Sequence, residues 1–269
     1  MLLLKQGGGF MKKLFIMAII MTVAIVCTAC GEKAALVISP SEHIEVTEAA
    51  DPTQIVMPKE TAGSTDPTET PAPIPVNDPY LVLVNFEHPI YEEPPVVLVC
   101  DYLTAGNVYC DPRRHANETA VKALNEMLLA AQEEGEFHFI IASAFRHIWE
   151  QQMMWEGKLK EDPTYGSDPY NDPVKLMPTN CSEHTTGLAF DILCESCPHS
   201  NPSYENTSEA KWLAENAHRF GFILRYPEGK QHITGVQFEP WHFRYVGKEV
   251  AEYIYARSLC LEEYLGQAR

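Results

Sequence analysis

The stretch "SEHTTGLAFDI", Ser182 to Ile192, decides the fold. Gly187 permits a tight turn, and Leu188 to Ile192 alternate as a strand. Leu188, Phe190 and Ile192 fall on one face, suited to a core, while Ala189 and Asp191 share the other. Small Ala189 leaves room beside Asp191 for a bound ion. His184, just before the turn, can fold back toward Asp191. An imidazole and a carboxylate converging in this way suit zinc, whose nitrogen and oxygen ligands lie at about 2.0–2.2 Å. The plain alternative is a turn leading into a buried strand, its polar residues binding nothing.

Working outward, "LVLVN" (Leu81 to Asn85) and "VVLVC" (Val96 to Cys100) read as short buried strands. Helical spacing of Val121, Leu124, Leu128 and Leu129 predicts a helix from Asn117 to Glu133, ended by Gly135. A strand, "FHFIIASA", follows from Phe137 to Ala144, and a second helix starts after Arg146. Glu161 to Asn180 is rich in Pro, Asp and Asn and reads as loop. A third helix is expected from Ser208 to Arg219, with Gly221 past its end. "FILRY" (Phe222 to Tyr226) and "VQFEPWHFRYV" (Val236 to Val246) read as strands, and Lys248 to Ser258 as a closing helix. The expected class is α+β, a small, mostly antiparallel sheet with flanking helices.

The polar surroundings of that domain set its compartment. Met11-Lys12-Lys13, the apolar run Leu14 to Val26 and the small residues before Cys30 form an export signal, too short for a stable span. Thr28-Ala29-Cys30 resembles a bacterial lipoprotein box, with Cys27 where leucine is usual, which implies cleavage before Cys30 and a lipid on its sulfur. The boundaries expected are therefore 1–30 for the signal, with the true start at Met11, 31–78 for an acidic Pro/Thr-rich tether, and 79–269 for the folded domain. The tether cannot bury enough apolar surface to offset its ordering entropy. Localisation outside the cytoplasm, on a membrane and on the surface of a Gram-positive cell, follows as an expectation. A formal net charge of −17 argues against nucleic acid as a partner. No obligate protein partner is evident. Export favours disulfides among Cys100, Cys110, Cys181, Cys194, Cys197 and Cys260, with Cys100 and Cys110 paired across a turn at Ala105-Gly106-Asn107. The alternative for "CESCPH" is a structural zinc held by Cys194, Cys197 and His199.

A catalytic zinc needs a third protein ligand and an open position. "EPWH" offers His242 as that ligand and Glu239 as a base for the attacking water. Residues three apart on a regular strand face opposite ways, and Pro240 can break that regularity. Arg146, at the end of an apolar strand, is suited to a substrate carboxylate or to charge developing on a carbonyl; a structural ion pair is the alternative.

Arg146 with Gln151, then "SEHTTGLAFD", then "EPWHFRYVG", resembles the VanY-type D-alanyl-D-alanine carboxypeptidases, a branch of the lysostaphin/D-Ala-D-Ala-peptidase/hedgehog zinc fold. The resemblance runs from Tyr80 to about Tyr253. It implies one zinc ion on His184, Asp191 and His242, Glu239 as general base and Arg146 as the polarising cation, with Gln151, Ser182 and Trp241 as further substrate contacts. It also implies cleavage of the terminal D-alanine from peptidoglycan stem peptides. An L,D-carboxypeptidase acting on tetrapeptides and a zinc-bearing wall-binding module without turnover are the alternatives. His147 stands where the family usually has Ser or Thr.

Overall fold

The computed structural model describes residues 78–268. The export signal, Cys30 and nearly all of the tether lie outside the described residues.

Five strands form the main sheet: β2 (Val108–Cys110), β4 (Phe139–Ser143), β5 (Ala189–Cys194), β7 (His242–Tyr245) and β6 (Phe222–Leu224), in that order. β2 runs parallel to β4, and every other neighbour is antiparallel. A small separate pair joins β1 (Val97–Leu98) to β3 (His115–Ala116). The helices are α1 (Glu118–Glu134), α2 (Ile148–Glu161), α3 (Ser208–Asn216), α4 (Gln231–Thr234), α5 (Lys248–Ala256) and α6 (Leu261–Tyr264). This is the expected α+β class.

The alternation in β5 falls as its sequence dictates. Leu188, Phe190 and Ile192 are buried in one core with Val121, Leu124 and Leu128 of α1 and with Leu213 of α3. α1 starts where Asn117 accepts hydrogen bonds on Oδ1 from the amides of Thr119 and Ala120, at 3.0 and 3.2 Å. The Asn117 amide donates to the Gly187 carbonyl at 2.9 Å, which ties the turn before β5 to the head of α1. Gly187 has φ +70°, and a Cβ there would lie 2.9 Å from the Asn117 nitrogen. Left-handed backbone and contact both demand glycine at that place.

Several expectations need correction. Leu81 to Asn85 form no strand. Their segment is instead held by a side chain, since Arg244 Nη2 donates to the carbonyls of Tyr80 and Val82 at 3.0 and 2.8 Å. Val96 to Cys100 shrink to the two-residue β1, followed by a 3₁₀ turn over Val99–Asp101. In Val236 to Val246 only His242–Tyr245 is strand, because the chain turns at Glu239 and Pro240, where the His242 amide donates to the Glu239 carbonyl at 3.1 Å. The third helix is α only to Asn216 and tightens to a 3₁₀ turn over Ala217–Phe220, closed by Gly221 at φ +89°.

The disulfide bracing is not formed. All six described cysteines are free thiols. The hairpin is absent, because β2 pairs with β4 and Cys100 sits in the 3₁₀ turn, but the Cys100 and Cys110 thiols face each other, both within 3.6 Å of the Asp111 carbonyl. Cys194, Cys197 and His199 make no metal-capable group; among the described residues the one such group is His184, Asp191 and His242.

Candidate active site

The sheet itself assembles the centre. β5 and β7 are neighbours in a register that sets Asp191 opposite His242, and on its other side Asp191 is opposite Ser143 of β4. Cross-strand partners point to the same face, so the strands bring these side chains together at no further conformational cost. His184 arrives from the 3₁₀ turn Glu183–Thr186 at the head of β5. That turn is stitched to the end of β4 by the Arg146 amide, which donates to the His184 carbonyl at 3.1 Å.

One ligand atom from each of His184, Asp191 and His242 lies within 4.8 Å of the others. His184 Nδ1 is 2.7 Å from the Ala144 carbonyl. A carbonyl only accepts, so Nδ1 carries the proton and Nε2 presents its lone pair, 3.4 Å from Asp191 Oδ2. His242 is turned the other way: Nδ1 faces Asp191 Oδ1 at 3.1 Å and Glu239 Oε2 at 3.7 Å. The two imidazoles meet edge to face with centroids 4.9 Å apart. Two imidazoles and a carboxylate, all buried and converging, are the donor set of a zinc centre with room for a further ligand, so the residues fit the ion.

The electrostatics agree. Burial disfavours the charged forms and, being the larger effect, pulls His184 below its usual pKa. For His242 burial is outweighed by the Asp191 and Glu183 carboxylates beside it, which push it up to about 9. Asp191 is held well below the carboxylate range by the two histidines, against burial. Burial, with the Asp191 charge adding to it, pushes Glu239 up to about 8. Carboxylates crowding two imidazoles make a site that attracts a cation.

These groups line a cavity of about 550 Å³. Arg146 faces it, half-buried, its Nη1 donating to Gln151 Oε1 at 2.8 Å and its Nη2 to Ser143 Oγ at 3.2 Å. Burial lowers its pKa, and Asp191 and Glu239 oppose that effect. Ser182 and Trp241 line the same cavity as expected, and Lys175 Nζ sits over the Trp241 ring at 4.9 Å. Gln151 does not: it is fully buried behind Arg146 and donates its Nε2 to the Met177 carbonyl. It orients the guanidinium, and its expected place as a substrate contact is corrected accordingly. His147 caps the start of α2, with Nδ1 2.8 Å from Glu93 Oε2, and stands outside this cavity.

Residue-by-residue reading of the sequence left two groups unassigned. Glu183 accepts hydrogen bonds on Oε1 from Arg225 Nε at 2.8 Å and from Arg244 Nη1 at 2.7 Å. Its Oε2 has no hydrogen-bond partner, and neither has His242 Nε2, 3.7 Å away; the two orphans face each other. Tyr226 packs on His242 with centroids 4.8 Å apart and lines the cavity. The signal for the first group was a charge inside each of two apolar strands, Arg225 in "FILRY" and Arg244 in "HFRYV".

A family model described as "VanY: D-alanyl-D-alanine carboxypeptidase" matches residues 113–248, which include every residue of this centre. A D-alanyl-D-alanine carboxypeptidase of Enterococcus faecium is 33% identical over 190 residues, covering 69% of this chain and 57% of that protein. The chain thus spans little more than half the length of that relative. Among solved structures, the LdcB LD-carboxypeptidase superposes with a TM-score of 0.59 at 30% identity, over 72% of this chain and 90% of that one. The vancomycin-resistance D,D-pentapeptidase VanY from a VanB-type cassette, in complex with Zn(II), does so with 0.55 at 34% identity, over 70% and 99%. Motif order, the converging donor set and a family match across four of the five strands of the main sheet lead to one conclusion: this chain belongs to the VanY D-alanyl-D-alanine carboxypeptidase family.

Proposed function

We propose that the chain is a zinc-dependent D,D-carboxypeptidase that hydrolyses the terminal D-alanine from peptidoglycan stem peptides. The observation that carries the reading is the buried group of His184, Asp191 and His242 with Glu239 at its edge and Arg146 across the cavity. The names of the relatives support the substrate class. His184 Nε2, an Asp191 oxygen and His242 Nδ1 would hold the ion. Zinc, when bound, supplies a Lewis acid that polarises the carbonyl and makes water acidic. Glu239 accepts the proton of the attacking water and returns it to the departing amine. The Arg146 guanidinium, fixed by Gln151 and Ser143, faces the oxygen on which negative charge develops.

The likeness to an LD-carboxypeptidase favours a second reading, in which the same centre removes D-alanine from tetrapeptides. Incubating the zinc-loaded chain with defined pentapeptide and tetrapeptide stems, with and without chelator, separates the two. Chelator-sensitive release of D-alanine from pentapeptide is the expected result. Release from tetrapeptide alone would give the second reading, and release from neither would leave a zinc-bearing wall-binding module.

We further propose that the protein works outside the cytoplasm, tethered by a lipid on Cys30, which brings the membrane in as its second partner. The basic start, short apolar run and Thr28-Ala29-Cys30 box support this. Mass spectrometry of the mature protein should find a lipid-modified Cys30 at its N-terminus; a mature chain retaining residues before Cys30 would refute it.

A further inference from the structure

The substrate groove does not end at the first cavity. A second one, of about 720 Å³, opens on the other side of Asp191, and Arg146, Met154, Asp191 and Ser200 line both. Its far wall is the turn before β3, carrying Arg113 and Arg114, and the first turn of α2. There Trp149 is exposed, stacked on His147 with centroids 6.0 Å apart, and Met154, which lines both cavities, is exposed as well. Apolar side chains left in water beside a cleft are suited to a ligand surface.

Arg114 is a cation without a carboxylate of its own. Asp111 is taken by Arg113, which donates from Nε at 3.0 Å and from its backbone amide at 2.9 Å. Glu150 accepts the His147 amide at 3.0 Å, and Asp191 faces two imidazoles. Arg114 Nε is buried with no hydrogen-bond partner. Its charge also reaches Arg146, where it adds to the lowering that burial begins. Three guanidiniums border this cavity, and the buried Arg114 Nε donor is unfavourable until an acceptor pairs with it. The carboxylates on the same wall, Asp111, Glu150 and Asp191, match the arginines in number but leave that Arg114 donor unfilled.

Glu239 settles which way a peptide lies. It lines only the first cavity, together with Trp241 and Lys175. As the group that protonates the departing amine, it belongs on the leaving-group side. The terminal D-alanine therefore occupies the first cavity, and the acyl portion crosses Asp191 into the second. We propose that the second cavity is a carboxylate subsite for the acyl side of the substrate, with Arg114 pairing with a free carboxylate on a stem-peptide residue upstream of the scissile bond and Trp149 as its apolar shelf. The proposal rests on the D,D-carboxypeptidase reading.

The test uses the zinc-loaded full chain and two pentapeptides ending in D-Ala-D-Ala, identical except that an upstream residue carries a free carboxylate in one and a carboxamide in the other. The wild type should favour the carboxylate peptide by about tenfold in kcat/KM, mainly through KM. Arg114→Gln should bring that peptide down to the level of its carboxamide twin and leave the twin unchanged, and Arg114→Lys should keep part of the preference. Equal rates on the two peptides in the wild type, or equal slowing of both by Arg114→Gln, would overturn the subsite. Should neither peptide release D-alanine, the D,D-carboxypeptidase reading has failed on its own account. Calorimetric binding of both peptides to the wild type and to Arg114→Gln then decides the subsite: an affinity difference lost in the variant supports it, and equal affinities overturn it.

Discussion

Replacing Glu239 by glutamine will leave metal content unchanged and cut turnover by about 10²–10⁴-fold, the usual contribution of a positioned acid–base group. Glu239 is buried, and its Oε2 stands 3.7 Å from His242 Nδ1, at the edge of the three-residue metal group without belonging to it. Glutamine keeps the shape and cannot take a proton. In the metal-free protein, burial and the Asp191 charge hold this carboxyl protonated up to about pH 8, against His242, Lys175 and Arg146. A dication on the three ligands acts with the same sign as His242, and so returns Glu239 to the carboxylate a base must be. The raised pKa also fixes a stability trend. Native Glu239 binds its proton where the unfolded chain has lost it, so this contribution is full below the ordinary value of 4.5 and is lost as pH rises to about 8. Metal-free Glu239→Gln should lack that part of the decline. Metal analysis and D-alanine release measured on the same sample check the first claim. Turnover within a few fold of wild type would remove Glu239 from its role.

How much of this was legible in the residues varies from place to place. The β5 alternation was readable because Leu188, Phe190 and Ile192 bury one face and Asp191 needs the other, a pattern with period two that tolerates no slip. The α1 boundaries were readable because Asn117 is a local cap. Leu81 to Asn85 misled because an apolar run looks the same whether its carbonyls meet a strand or an arginine side chain. The turn between Cys100 and Cys110 misled for a related reason: it suggested a hairpin, whereas β2 pairs with the distant β4, although the two thiols do face each other. Gln151 was found by motif, but its position behind Arg146 depends on where α2 packs. Arg225 and Arg244 were visible as charges within apolar strands, yet their shared partner Glu183 lies 42 and 61 positions away and could not be paired without the fold.

That pairing makes Glu183 the residue whose loss should cost most in stability. Arg225, Arg244 and Glu183 are essentially inaccessible to solvent, and Glu262 completes the network with hydrogen bonds to Arg225 at 2.8 and 2.7 Å. Burial would raise the Glu183 pKa, and Arg225 and Arg244 outweigh it, holding the carboxyl well below its ordinary value. Its contribution is thus present above the ordinary value of 4.5 and is lost as pH falls through the lower folded one. Glu183→Ala strips Arg244 of its carboxylate and leaves only the carbonyls of Tyr80, Val82 and Tyr245 as acceptors. An uncompensated buried charge of this kind costs about 3–5 kcal/mol, read as a fall in the denaturation midpoint of the metal-free chain. Glu183 also touches the metal centre from behind, because its free Oε2 faces His242 Nε2. A proton shared there leaves Nδ1 as the metal nitrogen, and loss of such a partner lowers metal affinity by about 10–100-fold. Glu262→Gln breaks the same network on the side away from His242. It should lower stability without moving zinc affinity in a chelator competition, whereas Glu183→Gln should move both. Equal zinc affinities in the two variants would confine Glu183 to holding the fold together.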